Sequence, residues 1–287
     1  MIRGTLCGLA FAAIIPAAHA EVAFGITVDN RLVRFDTANP TVLMSSHAIT
    51  GMTPFELALG IDFRPATGEL YAVGSSNILY KLNSGTGAAT AVGAAFSPAL
   101  SGVEFGFDFN PTVDRIRMTS DNGQNLRLHP VTGQVVAVDG ALNYVAGDPN
   151  FGQAPRVVAS AYTNNFPGAT TTTLYNLDSR LDILVRQTPP NAGGLNTVGS
   201  LGMDISSLAG FDISGATGTA YAAVVRDGDF RSWLGRIDLS TGVLAPVAPI
   251  GGTALLVRDL AVVPEPASVA ALGAGLLAIA ARRRRRR

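Results

Sequence analysis

The chain has 287 residues, with 21 basic and 21 acidic side chains and a hydrophobic fraction of 47%. Seven basic residues and one acidic residue lie outside residues 21–263, so this segment carries 14 basic against 20 acidic side chains, or about −6. A mildly acidic surface argues against nucleic acid as a partner. The single cysteine, Cys7, also lies outside, which leaves this segment without any disulfide, thiolate nucleophile or cysteine metal site.

Residues 1–20 have the three parts of a secretory signal peptide. Arg3 supplies the positive charge, residues 6–15 are mainly apolar, and Ala18 and Ala20 form a small-x-small cleavage pattern. We therefore predict export, with cleavage after Ala20 and a mature chain that begins at the next residue.

Residues 59–93 contain four short strand-like segments separated by turn residues such as Pro65 and Gly68. This pattern predicts a four-stranded antiparallel meander. The unit is repeated about five times along the chain. Its first strand recurs at residues 60–63, 106–109, 159–162, 210–213 and 258–261. Its third strand recurs at residues 32–36, 79–83, 126–129, 174–178 and 234–238.

The spacing of the repeats predicts the fold. Asp62 and Asp108 are 46 residues apart, and a period of roughly 40–50 residues with four strands per unit is typical of a β-propeller. Residues 24–28 match a second strand and residues 257–263 match a first strand, so pairing them would complete one more blade. We predict that residues 21–263 form an all-β, five-bladed β-propeller of four-stranded antiparallel blades, closed by pairing the N- and C-terminal strands. A β-sandwich and an open solenoid are the alternatives.

Residues 264–287 form a distinct tail. Pro264-Glu265-Pro266 is followed by 15 uncharged, mainly small apolar residues at 267–281 and then by six arginines. As a helix the apolar part would span roughly 22 Å, short for a bilayer core. The tail resembles the PEP-CTERM sorting signal of Gram-negative bacteria, with Pro264, Glu265 and Pro266 as the sorting motif. The resemblance implies recognition by an exosortase-type transpeptidase, a transient or permanent transmembrane anchor, and an exopolysaccharide-producing host. A plain C-terminal membrane anchor is the alternative.

The repeat segment also carries motifs that can be compared with a known family. They include Gly60-Ile-Asp-Phe-Arg-Pro, Gly106-Phe-Asp-Phe-Asn-Pro, Ser120-Asp-Asn-Gly-Gln-Asn and Tyr162-Thr-Asn-Asn. With these motifs the chain resembles domain-of-unknown-function family 4394 over nearly all of residues 22–263. The resemblance implies a propeller-like fold and an exported protein, and it brings no catalytic residues.

Catalytic candidates are few. The two histidines downstream of residue 20 lie in different repeats, which disfavours a zinc site or a Ser-His-Asp triad, and we expect no metal and no cofactor. Calcium is less strongly disfavoured, because residues 121–125 and 227–229 cluster oxygen ligands in turns, but polar turn residues have the same composition and neither cluster has EF-hand spacing. Asp62, Asp108 and Asp212 occupy equivalent places in three first strands, with Asp259 near the same place in the last. Carboxylates gathered at a propeller axis could act as the acid and base of a glycosidase. The alternative is that each aspartate has a structural role in capping turns.

The most polar stretch supplies weak candidates for ligand binding. Arginine forks and amides suit sugar hydroxyls or an anionic glycan. The candidates are Arg64, Arg115, Arg117, Asp121, Gln124 and Asn125. A solvated loop and an exposed strand face would have the same composition.

These patterns favour an exported, non-enzymatic propeller of the cell envelope or extracellular space that binds or scaffolds exopolysaccharide or another envelope component. A glycan hydrolase or lyase that uses axial aspartates is one alternative, and a propeller that binds a protein partner is another.

Overall fold

The structure is a computed structural model that describes residues 20–252 and 254–264. The predicted apolar helix at residues 267–281 and the predicted roles of Ala18, Glu265 and Pro266 lie outside the described residues. Within the described ranges, no helix is both long enough and apolar enough to cross a bilayer.

The described ranges contain 21 strands and one short 3-10 helix, Pro190–Ala192. In chain order the strands are β1 (Val22–Thr27), β2 (Arg31–Asp36), β3 (Asn39–Ala48), β4 (Ala58–Phe63), β5 (Leu70–Gly74), β6 (Leu79–Leu82), β7 (Ala89–Val92), β8 (Phe105–Asn110), β9 (Arg115–Ser120), β10 (Asn125–Leu128), β11 (Val135–Val138), β12 (Asn143–Tyr144), β13 (Val157–Tyr162), β14 (Leu174–Asp178), β15 (Ile183–Gln187), β16 (Gly194–Ser200), β17 (Ile205–Ile213), β18 (Ala220–Arg226), β19 (Ser232–Ile237), β20 (Leu244–Pro249) and β21 (Val257–Val262).

These strands form five antiparallel sheets, which confirms the predicted five-bladed propeller. Blade 1 is β4–β7, blade 2 is β8–β11, blade 3 is β13–β16, blade 4 is β17–β20, and blade 5 is β21 followed by β1–β3. The predicted closure is also confirmed, because β21 pairs antiparallel with β1 and sets Ala23 opposite Val262. Closure removes the exposed sheet edge that an open array would have.

Blade 3 departs from the predicted repeat in two ways. The segment aligned as its third strand, Leu174–Asp178, is its second strand, because the loop at residues 163–173 is longer than the corresponding turns at 64–69 and 111–114. In addition, β12 pairs in parallel with β16 and adds a fifth strand to the outer edge of this sheet. Equal spacing of the repeats was therefore the wrong assumption for this blade.

The inner strands surround the axis and are the most buried. Every residue of β4 and β13 is buried, whereas in the outer strand β7 only the first residue is buried. An inner strand packs against neighbours on both faces, which explains its nearly continuous apolar sequence. Gly210 allows a close approach of two backbones, because a Cβ there would lie 2.5 Å from the Asp259 Cα of the next inner strand.

The molecule has two faces that follow from strand direction. Each inner strand ends on what we call the turn face, which carries the turns at residues 64–69 and 111–114 and the loop at 188–193. The opposite, or connection, face carries the links between blades, such as residues 139–156.

Four of the five junctions between blades are filled by apolar clusters. They join blades 1 and 2, 3 and 4, 4 and 5, and 5 and 1. In the described ranges, no such cluster spans blades 2 and 3, since the remaining one consists of blade 3 and its β12 extension alone. The junction between blades 2 and 3 is built differently, as described below.

Candidate functional site

Aspartates on the inner strands link each blade to the next. The Asp62 Oδ2 atom accepts a hydrogen bond of 2.8 Å from the Phe109 backbone N–H, and Asp108 Oδ1 accepts one of 3.1 Å from Tyr162. Asp212 makes the equivalent bond to the Val262 N–H, and Asp259 binds the Ile61 N–H, two residues earlier in the register. The inner strand is an edge strand of its sheet, so its axis-facing N–H groups need such acceptors.

One link in this ring is missing. Ala161 in blade 3 occupies the register position of the aspartates, since it pairs with Tyr175 as Asp62 pairs with Tyr71. From the same blade, the side-chain amide of Asn165 faces the Asp212 carboxylate and lowers the pKa of that group. Blade 3 therefore meets blade 4 at the axis through an amide in place of a carboxylate.

Three of these aspartates converge at the axis. One carboxylate oxygen from each of Asp62, Asp108 and Asp212 lies within 4.8 Å of the other two. Burial raises the pKa of Asp62 and of Asp108 well above the usual aspartate value, and the charge of neighbouring carboxylates adds to the rise. Burial raises the pKa of Asp212 to about 6, while backbone N–H donors act in the opposite direction.

The arrangement favours the structural interpretation of these aspartates over the glycosidase hypothesis. Asp62, Asp108 and Asp212 are each 1% exposed, and each accepts a backbone hydrogen bond from the next blade. A glycosidic bond must come between two carboxyl groups. A polymeric glycan has no access to carboxylates buried this deeply.

The junction between blades 2 and 3 holds a buried polar network. The Thr119 and Ser160 hydroxyls meet at 2.7 Å across the junction, and Ser160 donates to Asn176 Oδ1 at 2.6 Å. Asn176 donates to Gln187 Oε1, and Gln187 donates to the Pro190 carbonyl. Because each of these four side chains has a hydrogen-bond partner, the network avoids the cost of unpaired groups.

Arg117 continues the network toward the turn face. Its guanidinium donates to Asp139, to Asn125 Oδ1 at 2.8 Å and to Asn191 Oδ1 at 2.7 Å. Arg127 lies directly across the strand from Arg117 and also donates to Asp139, with two bonds of 2.8 and 2.9 Å. One carboxylate therefore serves two arginines.

A cleft of about 220 Å³ opens over this cluster on the turn face. Arg115, Arg117 and Arg127 line one side, and Pro189 and Pro190 line the other. We call this space the arginine cleft.

The arginine cleft carries an excess of positive charge. Among the described residues, Arg115 donates to the backbone carbonyls of Val113 and Asp114 and forms no salt bridge, while Arg117 and Arg127 share the Asp139 carboxylate. The Asp114 carboxylate is paired with Arg64, which lowers the Asp114 pKa. The cleft therefore has a charge of about +2 in a propeller whose sequence is net acidic.

The six predicted ligand residues fall into three groups. Arg115 and Arg117 line the arginine cleft, with Asn125 buried behind them at 1% exposure. Arg64 is engaged with Asp114, as stated above. Asp121 and Gln124 lie on the connection face, where Asp121 accepts from the Val103 N–H and Gln124 donates to the Ala99 carbonyl. The six residues therefore do not form a single site.

Sequence reasoning missed several residues of the cleft. Arg127 follows Asn125 by two positions on β10, so strand alternation could have assigned it to the same face. Asp139 and Asn191 come from a connection between blades and from the distant loop at residues 188–193, and no local pattern marks either residue.

A second, larger groove of about 570 Å³ lies on the connection face of the same junction. Asp121, Phe151, Arg156 and Arg180 line it. It is separated from the arginine cleft by the length of the strands.

Comparison with solved structures shows only distant likeness. A structural genomics protein of unknown function from Bacteroides thetaiotaomicron has a TM-score of 0.49 and 15% identity, covering 86% of this chain and 68% of that one. The nidogen/laminin complex has a TM-score of 0.46 and 12% identity, and the match covers 85% of this chain and 98% of that one. Kuenenia stuttgartiensis hydrazine synthase has a TM-score of 0.41 and 12% identity; 67% of this chain is covered, but only about half, 49%, of that one.

Comparison with protein families is more specific. No curated protein sequence matches the chain. A PEP-CTERM protein-sorting motif matches residues 262–286, which indicates export and implies recognition by an exosortase-type sorting system. The family described as Domain of unknown function (DUF4394) matches residues 31–261, and the chain belongs to that family.

Proposed function

We propose that this protein is an exported, non-enzymatic propeller that binds an acidic exopolysaccharide through the arginine cleft. The observation that carries the proposal is the excess positive charge of the cleft, where Arg117 and Arg127 share Asp139 and Arg115 forms no salt bridge with a described residue. A sugar carboxylate would supply the missing negative charge.

The shape of the cleft supports a polymeric ligand. Guanidinium groups bind carboxylates through two parallel hydrogen bonds, and both Arg115 and Arg127 are partly exposed. Pro189 and Pro190 offer an apolar wall for the C–H face of a sugar ring. The cleft is smaller than the roughly 300–1,000 Å³ of pockets that enclose small molecules. Its volume therefore suits one sugar residue of a polymer whose other residues lie outside the cleft.

The sorting motif supports the same class of ligand. An exported protein with a C-terminal sorting signal meets the polymers of the envelope and the surrounding matrix. The chain also leaves the propeller after β21 on the turn face, which is the face that carries the arginine cleft.

The test compares binding of the purified protein to a polyuronate and to a neutral glucan of matched length, by calorimetry at two salt concentrations. We expect binding to the polyuronate only, weakened by salt because the contact is ionic. Arg115→Ala should weaken it about tenfold or more, the usual cost of losing a charged hydrogen bond.

Arg180→Ala is the matched control, since Arg180 is an exposed arginine on the connection face of the same blade junction. We expect this variant to bind like the wild type. Equal binding to both polymers, or equal weakening by Arg180→Ala and Arg115→Ala, would contradict the proposal.

A protein partner on the connection face is the second candidate. Phe55, Phe151 and Phe230 are 104%, 64% and 79% exposed, and all three lie in connections or turns on that face. Exposed aromatic residues are enriched at protein interfaces. Replacing all three phenylalanines with serine should leave polyuronate binding unchanged. If the protein partner binds here, the immobilised wild type should retain it from an envelope extract and the triple variant should not.

A further inference from the structure

The axis of the propeller holds an arrangement that polysaccharide binding does not use. Asp62, Asp108 and Asp212 each direct a carboxylate oxygen to one small volume, with all three oxygens within 4.8 Å of one another. These side chains come from blades 1, 2 and 4, so the cluster exists only when the ring is closed.

A fourth polar side chain contacts this cluster. Asn165 is 4% exposed, its amide faces the Asp212 carboxylate, and its Oδ1 atom is buried without a hydrogen-bond partner among the described residues. Asn164, immediately before it, has a φ of 57°, and this left-handed residue turns the chain where β13 ends. A buried amide oxygen without a donor costs free energy unless something binds it.

The geometry points to a Ca²⁺ site at the propeller axis, with Asp62, Asp108, Asp212 and Asn165 as the oxygen ligands. This site is separate from the arginine cleft and does not depend on the proposed function.

The ligand set favours Ca²⁺ over Mg²⁺. Calcium binds six to eight carboxylate, amide and water oxygens at about 2.3–2.6 Å in a flexible geometry. The three carboxylate oxygens, all within 4.8 Å of one another, are close enough to bind one such ion. Magnesium requires nearly ideal octahedral geometry and usually keeps several waters, which suits a cluster of buried protein ligands less well.

Hydrogen bonds already fix the carboxylates in place. Asp62 accepts from the Phe63 and Phe109 N–H groups, and Asp212 accepts from Ile213 and Val262. Each of these oxygens accepts one bond and keeps a second lone pair. A cation could therefore bind without breaking the links between blades. It would also add a contact shared by the three blades that supply the aspartates.

The test uses the purified full chain after removal of metal by a chelator. Calorimetry with CaCl₂ should give about one bound ion per chain. At free Ca²⁺ of about 100 times Kd, Tm should rise by roughly 5–10 °C. MgCl₂ should bind at least about tenfold more weakly.

Two variants probe the ligands. Asp108→Asn keeps an acceptor for the Tyr162 N–H while removing the charge, and Asn165→Ala removes the amide. We expect each to weaken Ca²⁺ at least about tenfold. Asp178→Asn is the control, because Asp178 is equally buried but accepts from Tyr144 and Arg156 away from the axis. Its Ca²⁺ response should match the wild type.

The proposal is overturned if calcium neither binds nor shifts Tm of the wild type, or if both Asp108→Asn and Asn165→Ala retain the full response. A response to Mg²⁺ as strong as that to Ca²⁺ overturns the assignment to calcium. Weakening by either variant supports the site, so misfolding of one variant still leaves a test.

Discussion

The two faces of blade 2 meet their neighbours in opposite ways. Toward blade 1, β8 and β9 present Phe107, Phe109 and Met118, which pack with apolar residues of blade 1. Toward blade 3, the alternate positions of the same strands present Asp108 and Arg117, which bind backbone and side-chain polar groups of blade 3 or its loops. Strict alternation along two strands therefore produces one apolar junction and one polar junction.

This difference has consequences for stability. The stability of an apolar junction depends on packed volume and buried area, so a neighbouring side chain can compensate for a small change of shape. The stability of a buried polar junction depends on each hydrogen-bonding partner, because removal of one partner leaves the other buried and unpaired. The junction between blades 2 and 3 should therefore be the most sensitive to single substitutions.

The largest effect should come from Asp139→Ala. Arg117 is 2% exposed and would lose its only anionic partner among the described residues, as would Arg127. We expect a loss of about 3–5 kcal/mol in the free energy of unfolding, measured by urea denaturation. Phe107→Leu in the apolar junction is the comparison and should cost about 1–2 kcal/mol. Equal losses would remove the proposed contrast between the junctions.

A smaller effect should appear as a pH dependence of the stability of the metal-free protein. The Asp212 pKa is raised to about 6, so the folded state keeps a proton that the unfolded state releases near pH 4. Stability should therefore fall as pH rises from about 4 to 6, by up to about 3 kcal/mol from this group. Burial and the charges of neighbouring carboxylates raise the pKa of Asp62 and of Asp108 in the same direction, so these groups add to the effect.

The measurement is the free energy of unfolding in chelator across that pH range, for the wild type and for Asp108→Asn. Removal of one charge from the cluster should make the variant relatively more stable as pH rises. A difference between the two proteins that is constant with pH would show that the cluster does not titrate as a unit.

Ser160→Ala should cost about 1–2 kcal/mol in the free energy of unfolding. The substitution removes the bond to Thr119 and leaves Asn176 Oδ1 without its donor inside the polar junction. Ser240→Ala, at an exposed turn, is the control and should change stability by less than about 0.5 kcal/mol. Thermal and urea denaturation should both show that Ser160→Ala is less stable than Ser240→Ala.

The smallest effect on stability should come from Arg115→Ala, within about 0.5 kcal/mol of the wild type. Arg115 is partly exposed, and among the described residues it binds backbone carbonyls alone, so its removal leaves no buried side chain unpaired. The same variant should lose polyuronate binding, which separates the ligand role of the cleft from the structural role of the network beneath it. A large loss of stability would place Arg115 in the network instead.

Much of the architecture could be predicted from the sequence. Turn residues at regular spacing divide the chain into strands, and the repeat period with a first-strand match at the C-terminus predicts closure of five blades. Such patterns are local, because strand period and turn chemistry depend on neighbouring residues. The eleven residues between Tyr162 and Leu174 broke the regular spacing and misplaced one strand of blade 3.

The candidate site was predicted only in part. Arg115 and Arg117 were identified from the polar composition of their stretch. An exposed strand face and a buried junction have the same alternating pattern, so the sequence did not show that Arg117 is buried. Asp139 and Asn191 reach Arg117 from 22 and 74 positions away in the chain, which no period can reveal.

By itself, then, the sequence determined the strands, the number of blades and the sorting motif, because each depends on short-range pattern. Only the tertiary structure decided which polar face is covered and which carboxylates meet. Asp62, Asp108 and Asp212 recur at equivalent positions in the sequence, yet their separation depends on how closely the inner strands approach around the axis. Close packing at residues such as Gly210 brings those strands together, and the interaction of buried charges follows from that distance.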